Sequence, residues 1–88
     1  MSALNRRRKR LLYRANHRGI KEMDIILGDF ARLRLATLSE AELDQFEALL
    51  EESDRELLAW FTGERVVPAR FNNPLIDAIF AHCNGARR

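Results

Sequence analysis

"LSEAELDQFEALLEESDRELLAWFTG", residues 38–63, announces two helix starts in close succession. Ser39 is followed three residues later by Glu42, and Ser53 by Glu56. Each pair is a capping box, in which hydroxyl and carboxylate satisfy N–H groups that a helix start leaves without partners. Leu38 and Leu43 stand at the positions of a hydrophobic staple around the first box. Behind it, Leu43, Phe46, Leu49 and Leu50 recur at three- and four-residue steps, the period of a helix with one buried face. The second box opens a short helix carrying Leu57, Leu58, Trp60 and Phe61 toward Gly63, a C′ glycine. Two capped amphipathic helices without period-two alternation place the chain in the all-α class.

The same period extends to both sides. Residues 4–15 read as a short basic helix with Leu4, Leu11, Leu12 and Ala15 inward. A second helix is expected over 19–35 with Ile20, Met23, Leu27, Phe30 and Leu33 on one face. Gly28 inside it would cost about 1 kcal/mol against Ala unless a neighbouring helix packs close there. Residues 64–72, with Pro68 and two valines, suit an extended connector. Asn73-Pro74 supplies the N-cap and first residue of a last helix, with Leu75, Ile76, Ile79, Phe80 and Cys83 inward and Gly85 as its stop. The expectation is a compact five-helix bundle, one domain over 1–88, with fraying confined to the basic segment 1–10 and the tail 86–88.

Composition agrees with one small domain. The chain has 88 residues, 47% hydrophobic and 32% charged, with four Gly and two Pro. That content supports a core and argues against disorder throughout. The longest stretch free of Asp, Glu, Lys and Arg is nine residues, 78–86, against the roughly 20 of a membrane helix. No membrane insertion is expected. The single Cys83 excludes an intramolecular disulfide framework and fits a reducing compartment. Residues 1–21 hold no acid and many arginines, as a mitochondrial presequence does, but serine is scarce and the apolar stripe looks like domain helix. A bacterial-type cytosolic location is therefore expected ahead of the mitochondrial matrix.

The net charge of +2 hides an asymmetry. Residues 1–34 hold ten Lys/Arg against three acids, and the remainder five against ten. Such a dipolar chain suggests an acidic or phosphate-bearing partner.

Catalytic chemistry is hard to find. Ser39 and Ser53 are caps, leaving only Ser2 as a further serine. The two histidines cannot form a metal site alone, and His82 and Cys83 point about 100° apart on a helix. Cys83 is expected in the core and His82 on its flank. The four glycines are isolated, so no phosphate-cradling loop exists. Two surfaces remain. Arg6, Arg7, Arg8, Lys9 and Arg10 are five successive cations. They would suit a small nucleic-acid-binding regulator, but no aromatic interrupts the run and no recognition motif accompanies it. A solvated or partner-steering arm is the preferred reading.

The second surface is "NHRGIKEMD", residues 16–24. Gly19 could end one helix, and Glu22 could sit in the first turn of the next, favoured by the helix dipole and paired to Arg18 at i,i+4. On these grounds alone the stretch is equally a junction or a working surface.

Arg18-Gly19-Ile20-Lys21-Glu22 resembles the Arg-Gly-x-x-Glu motif of the succinate dehydrogenase assembly factor family. The similarity extends through "YRANHRGIKEMDIILGDF" and "DRELLAWFTGE", the latter with Asp54, Leu57, Trp60 and Gly63, and covers roughly residues 10–80. It implies a five-helix bundle that is not an enzyme. Such factors bind the succinate dehydrogenase flavoprotein subunit and promote covalent attachment of FAD, whose flavin 8α-methyl group becomes bonded to a partner histidine. Fumarate reductase-type flavoproteins are left open as clients. The chain itself would bind no cofactor or metal, FAD being carried by the partner. By motif position, Arg18, Gly19 and Glu22 would meet the partner, with Arg14, His17, Lys21 and Asp24 extending the patch. Trp60 is open between core and interface, and the core reading is preferred.

Overall fold

The computed structural model describes residues 5–86 and the side-chain surroundings through residue 83. Five helices follow in order: α1 (Arg6–Asn16), α2 (Lys21–Arg34), α3 (Glu40–Leu50), α4 (Asp54–Phe61) and α5 (Pro74–Ala86). Short 3₁₀ turns occupy Leu35–Thr37 and Ala69–Phe71, and the described residues contain no strand. None of the described helices is long and apolar enough to cross a membrane.

Local chemistry explains most boundaries. Asn5 accepts from the Arg8 backbone N–H at 2.9 Å and starts α1 at Arg6; residues 1–4, with Leu4, lie outside the described residues. The capping box of α3 is complete, with Glu42 N–H donating to Ser39 Oγ at 3.2 Å and Ser39 N–H to Glu42 Oε1 at 2.8 Å. That of α4 is half formed. Ser53 Oγ accepts from Glu56 N–H at 3.2 Å, but the Glu56 carboxylate is drawn to Arg65 at 3.1 Å. Gly63, at φ +81°, turns the chain so that its N–H reaches Trp60 O and that of Arg65 reaches Ala59 O. Asn73 caps α5 by accepting from Ile76 N–H at 3.0 Å. The helix then continues to Ala86 and corrects the expected stop at Gly85, since glycine permits a turn without imposing one. Arg87 and Arg88 lie outside the described residues.

The core gathers the inward stripes: Leu11 and Ala15 from α1, Met23, Leu27 and Phe30 from α2, all four expected residues of α3, Leu57 and Trp60 from α4, and Leu75, Ile76 and Ile79 from α5. Three expectations are corrected. Leu33 is exposed, because at 3.6 residues per turn it lies about 120° from the centre of the α2 stripe, and Ala31 and Leu35 are buried instead. The connector is not extended throughout, since its 3₁₀ turn buries Phe71 against Trp60, ring centroids 5.4 Å apart. Cys83 is only half-buried, while His82 sets its ring against Phe30 at 5.9 Å and holds Nε2 buried without a hydrogen-bond partner.

Helix α1 runs antiparallel to α2 and parallel to α3. Arg8 at its start donates to Leu35 O and Leu38 O, whereas Asn16 at its end covers Gly28. Arg7 and Arg14, two turns apart, meet Asp44 and Glu51, also two turns apart, both at 2.6 Å. The close approach at Gly28 is made by the Asn16 side chain and not by helix backbone, for a Cβ there would stand 3.1 Å from Asn16 Cγ. Gly28→Ala would displace an amide that donates to Leu12 O and accepts from Arg32. Overpacking of about 1–3 kcal/mol exceeds the gain of about 1 kcal/mol in helix propensity. We expect the melting temperature to fall by about 5 °C; a rise would show that Asn16 swings clear without loss.

Candidate functional site

The link between α1 and α2, residues 17–20, is held from below by α3 and α4. Arg18 points its guanidinium into the joint between those helices. Its Nε donates to Asp54 Oδ1 at 2.6 Å, Nη1 to Leu50 O at 2.8 Å and Nη2 to Glu52 O at 2.8 Å. A cation here satisfies carbonyls that the end of α3 leaves unpaired and lies at the negative end of its dipole. The Arg18 and Asp54 side chains are only 11% and 15% exposed.

Asp54 works in both directions. While Oδ1 holds Arg18, Oδ2 accepts from the backbone N–H groups of Gly19 at 2.6 Å and Ile20 at 3.2 Å. Asp24 takes the third consecutive N–H, that of Arg18. Ile20 at the α2 N-cap position has no capping side chain of its own. The junction is therefore anchored by a carboxylate 34–36 residues away. Gly19 has a steric reason here, since a Cβ would stand 3.2 Å from Asp54 Oδ2. It does not adopt the left-handed conformation of a helix-ending glycine; α1 has already ended at Asn16.

These contacts divide the seven residues of the expected patch. Arg14 pairs with Glu51, Arg18 with Asp54, and Asp24 with the link backbone. The expected Arg18 to Glu22 pair is not formed, because Asp54 and two carbonyls take the guanidinium. Glu22 and Lys21 are exposed in the first turn of α2, and among the described residues neither side chain has an ion-pair or hydrogen-bond partner. His17 is exposed too, with its ring stacked on Tyr13, centroids 3.8 Å apart, and Nδ1 2.8 Å from Tyr13 O. The protein thus presents Lys21, Glu22 and the Tyr13–His17 pair on a junction fixed from behind. Trp60, at 3% exposure, belongs to the core.

Asp54 is the residue that sequence reasoning missed. It appeared only as a member of the segment after Ser53, and a pairing across 36 residues leaves no local periodicity. Part of the charge asymmetry is likewise taken up inside the fold. Arg7 donates to Glu40, Asp44 and Glu47 of α3 at 3.2, 2.6 and 2.9 Å, and the bonds to Asp44 and Glu47 raise its pKa further. Much of the basic end is thus neutralised by the acidic half of the same chain.

No group of three or more His, Cys, Asp or Glu among the described residues is placed to hold a metal. A depression lined by Gln45, Leu49, Phe71, Asn73, Leu75 and Ile76 is shallow and open to solvent, with no enclosed space for a small molecule. What the junction offers is a polar edge, Lys21 and Glu22, held in place by the Arg18–Asp54 bonds behind it.

Residues 9–83 match a family described as flavinator of succinate dehydrogenase. The chain is 32% identical over 83 residues to succinate dehydrogenase assembly factor 2, mitochondrial, of Dictyostelium discoideum, covering 94% of this chain and 59% of that protein. It is 42% identical over 62 residues to the protein of that name from Mycosarcoma maydis, covering 70% and 26%. It is 40% identical over 70 residues to FAD assembly factor SdhE of Acetobacter pasteurianus, covering 80% and 64%. The chain spans less than two thirds of each of these relatives. No solved structure matches. The relatives named as mitochondrial overturn the expectation of a bacterial-type cytosolic chain. That expectation leaned on scarce serine and on Leu4, Leu11, Leu12 and Ala15 reading as a domain helix; Leu11 and Ala15 are indeed core residues of α1, but membership of a domain helix carries no information about location.

Proposed function

The chain belongs to the flavinator of succinate dehydrogenase family, and from this premise we propose that it binds the flavoprotein subunit of succinate dehydrogenase and promotes covalent attachment of FAD to it. The observation that carries this reading is the family match over residues 9–83, which contains the whole anchored junction. FAD stays on the partner, and the chain acts as a chaperone and not as an enzyme. Its contribution is to hold a mobile part of the client so that the reacting groups meet in a productive orientation, an effect worth several kcal/mol in well-oriented systems.

Within this reading the junction residues have separate tasks. Glu22 and Lys21 face the client. Gly19 keeps the surface low and lets the Asp54 carboxylate come close. Arg18, Asp24 and Asp54 are positioning residues that fix the direction of the first turn of α2 and so of Glu22. Arg14 braces α1 against α3 from the side.

The test is to combine the chain with an isolated succinate dehydrogenase flavoprotein and FAD, and to follow covalent flavin by its fluorescence on a denaturing gel. The wild-type chain is expected to accelerate the appearance of the fluorescent band. Glu22→Ala should reduce that acceleration about tenfold, the equivalent of ~1.4 kcal/mol, while lowering the melting temperature by only a few degrees, because Glu22 has no side-chain partner among the described residues and loses only its favourable place at the helix dipole, worth about 0.3–1 kcal/mol. No acceleration by the wild-type chain would refute the function for that client. Unchanged acceleration by Glu22→Ala would refute the site. The nucleic-acid alternative rested on five cations acting as one run, and Arg7 and Arg8 are turned into the fold.

A further inference from the structure

Helix α1 sends its cations in two directions. Arg7, Arg8 and Arg14 turn toward α3 and the 3₁₀ turn before it. Arg6, Lys9, Arg10, Tyr13 and His17 are all exposed, and their three- and four-residue spacing lines them along one side of the helix. Tyr13 is 63% exposed, and its stacking on His17 makes a flat aromatic end to the stripe where the link of residues 17–20 begins to lead into Lys21 and Glu22.

The outward cations are electrostatically unfavourable within the chain itself. The first turn of α1 contains no acid, although the positive end of the helix dipole favours one there. Arg6 stands three and four residues from Lys9 and Arg10, spacings at which like charges repel. The fold relieves Arg7 and Arg8 with carboxylates and carbonyls of α3 and its approach. Among the described residues Arg6, Lys9 and Arg10 have no carboxylate at ion-pair distance. An acidic surface laid against this side would remove the repulsion, and the exposed tyrosine would add the kind of apolar contact in which interface cores are rich.

We propose that this stripe is a second docking surface, and that its occupant is an acidic segment of the flavoprotein client running along α1 toward Glu22. This rests on the function proposed above and names how the client is captured. Charges of this kind act before contact, so they raise the association rate and make it salt-dependent, while the aromatic pair acts on dissociation.

The test compares association and dissociation rates with the isolated flavoprotein at about 0.01 M and about 0.15 M salt, where screening lengths are ~30 and ~8 Å. Arg6→Glu/Arg10→Glu is set beside Arg34→Glu/Arg55→Glu, which changes net charge equally at exposed positions elsewhere. At low salt the stripe variant is expected to associate about tenfold more slowly and the control within about twofold of wild type, with the gap narrowing at the higher salt. Tyr13→Ala should speed dissociation about tenfold at an unchanged association rate. An acid at position 6 suits the α1 dipole and attracts Lys9, whereas one at position 10 lies past the first turn and faces it at i,i+4, so the stripe variant should melt within a few degrees of wild type. Equal slowing in both charge variants, or none in the stripe variant, would overturn the stripe while leaving the proposed function standing. So would tight stripe-dependent binding to anionic vesicles or single-stranded RNA with unaltered flavoprotein rates. A wild-type chain that fails to bind the flavoprotein at either salt would refute the proposed function, and the stripe with it.

Discussion

Asp54→Ala is expected to lower the unfolding free energy by about 3 kcal/mol, which in a chain of this size moves the melting temperature down by roughly 15 °C. Breaking a buried pair by removing one partner costs about 3–5 kcal/mol, because the remaining charge keeps its desolvation without its counter-charge. The low end applies here, since Arg18 and Asp54 retain some solvent contact and Arg18 still has the carbonyls of Leu50 and Glu52. The substitution also strips the N–H groups of Gly19 and Ile20 of their acceptor. Asp54→Asn keeps an acceptor oxygen and should lose about half as much. Thermal unfolding followed by circular dichroism gives the answer, and a melting temperature within a few degrees of wild type would show that water replaces the carboxylate at no cost.

The same residue separates stability from function. If Asp54 positions Glu22, then Asp54→Asn should slow flavin attachment well below its melting temperature. In a Glu22→Ala background it should slow it no further, although the loss in melting temperature persists. Full additivity in both readouts would mean that Asp54 is only a structural brace.

Trp60→Ala is expected to be at least as costly, about 3–5 kcal/mol, the range for deleting a large buried aromatic. Trp60 is 3% exposed and packs on Phe71, so its removal also loosens the 3₁₀ turn that folds residues 64–72 back onto the core. Trp60→Phe should cost less than half of that. A normal melting temperature combined with weak binding to the flavoprotein would reverse the assignment and make the tryptophan a partner anchor. Chemical denaturation of Trp60→Ala and Trp60→Phe, alongside their rates of flavin attachment, distinguishes the two.

Most of the fold was legible because its instructions are local. Ser39 with Glu42, Asn73 with Pro74, and the stripe of Leu43, Phe46, Leu49 and Leu50 each place their signal within a few residues of the structure they cause. Leu33 failed because a three-residue step at the end of a helix leaves the buried face even though the residue type suits it. Cys83 failed because the depth reached by a side chain at the helix end depends on what stands opposite, and it is His82, on the flank, that meets Phe30 of α2.

The candidate site divides in the same way. The Arg-Gly-x-x-Glu segment was visible as text, and its exposed members Lys21 and Glu22 lie where a first helical turn would put them. The assignment of Arg18, Arg7 and Arg14 could not be read, because a charge in sequence carries no direction. Five adjacent cations look like one basic arm until the helix sends neighbours about 100° apart and α3 offers Glu40, Asp44 and Glu47 to one side only. By itself the sequence determined the five helices, the N-caps of α3, α4 and α5 and most of the buried faces, since hydrogen-bond capping and apolar periodicity operate over three to seven residues. Only the tertiary structure decided which charges hold the fold and which face outward. The bond from Arg18 to Asp54 spans 36 residues, and it exists only once α1 and α2 have been packed onto α3 and α4.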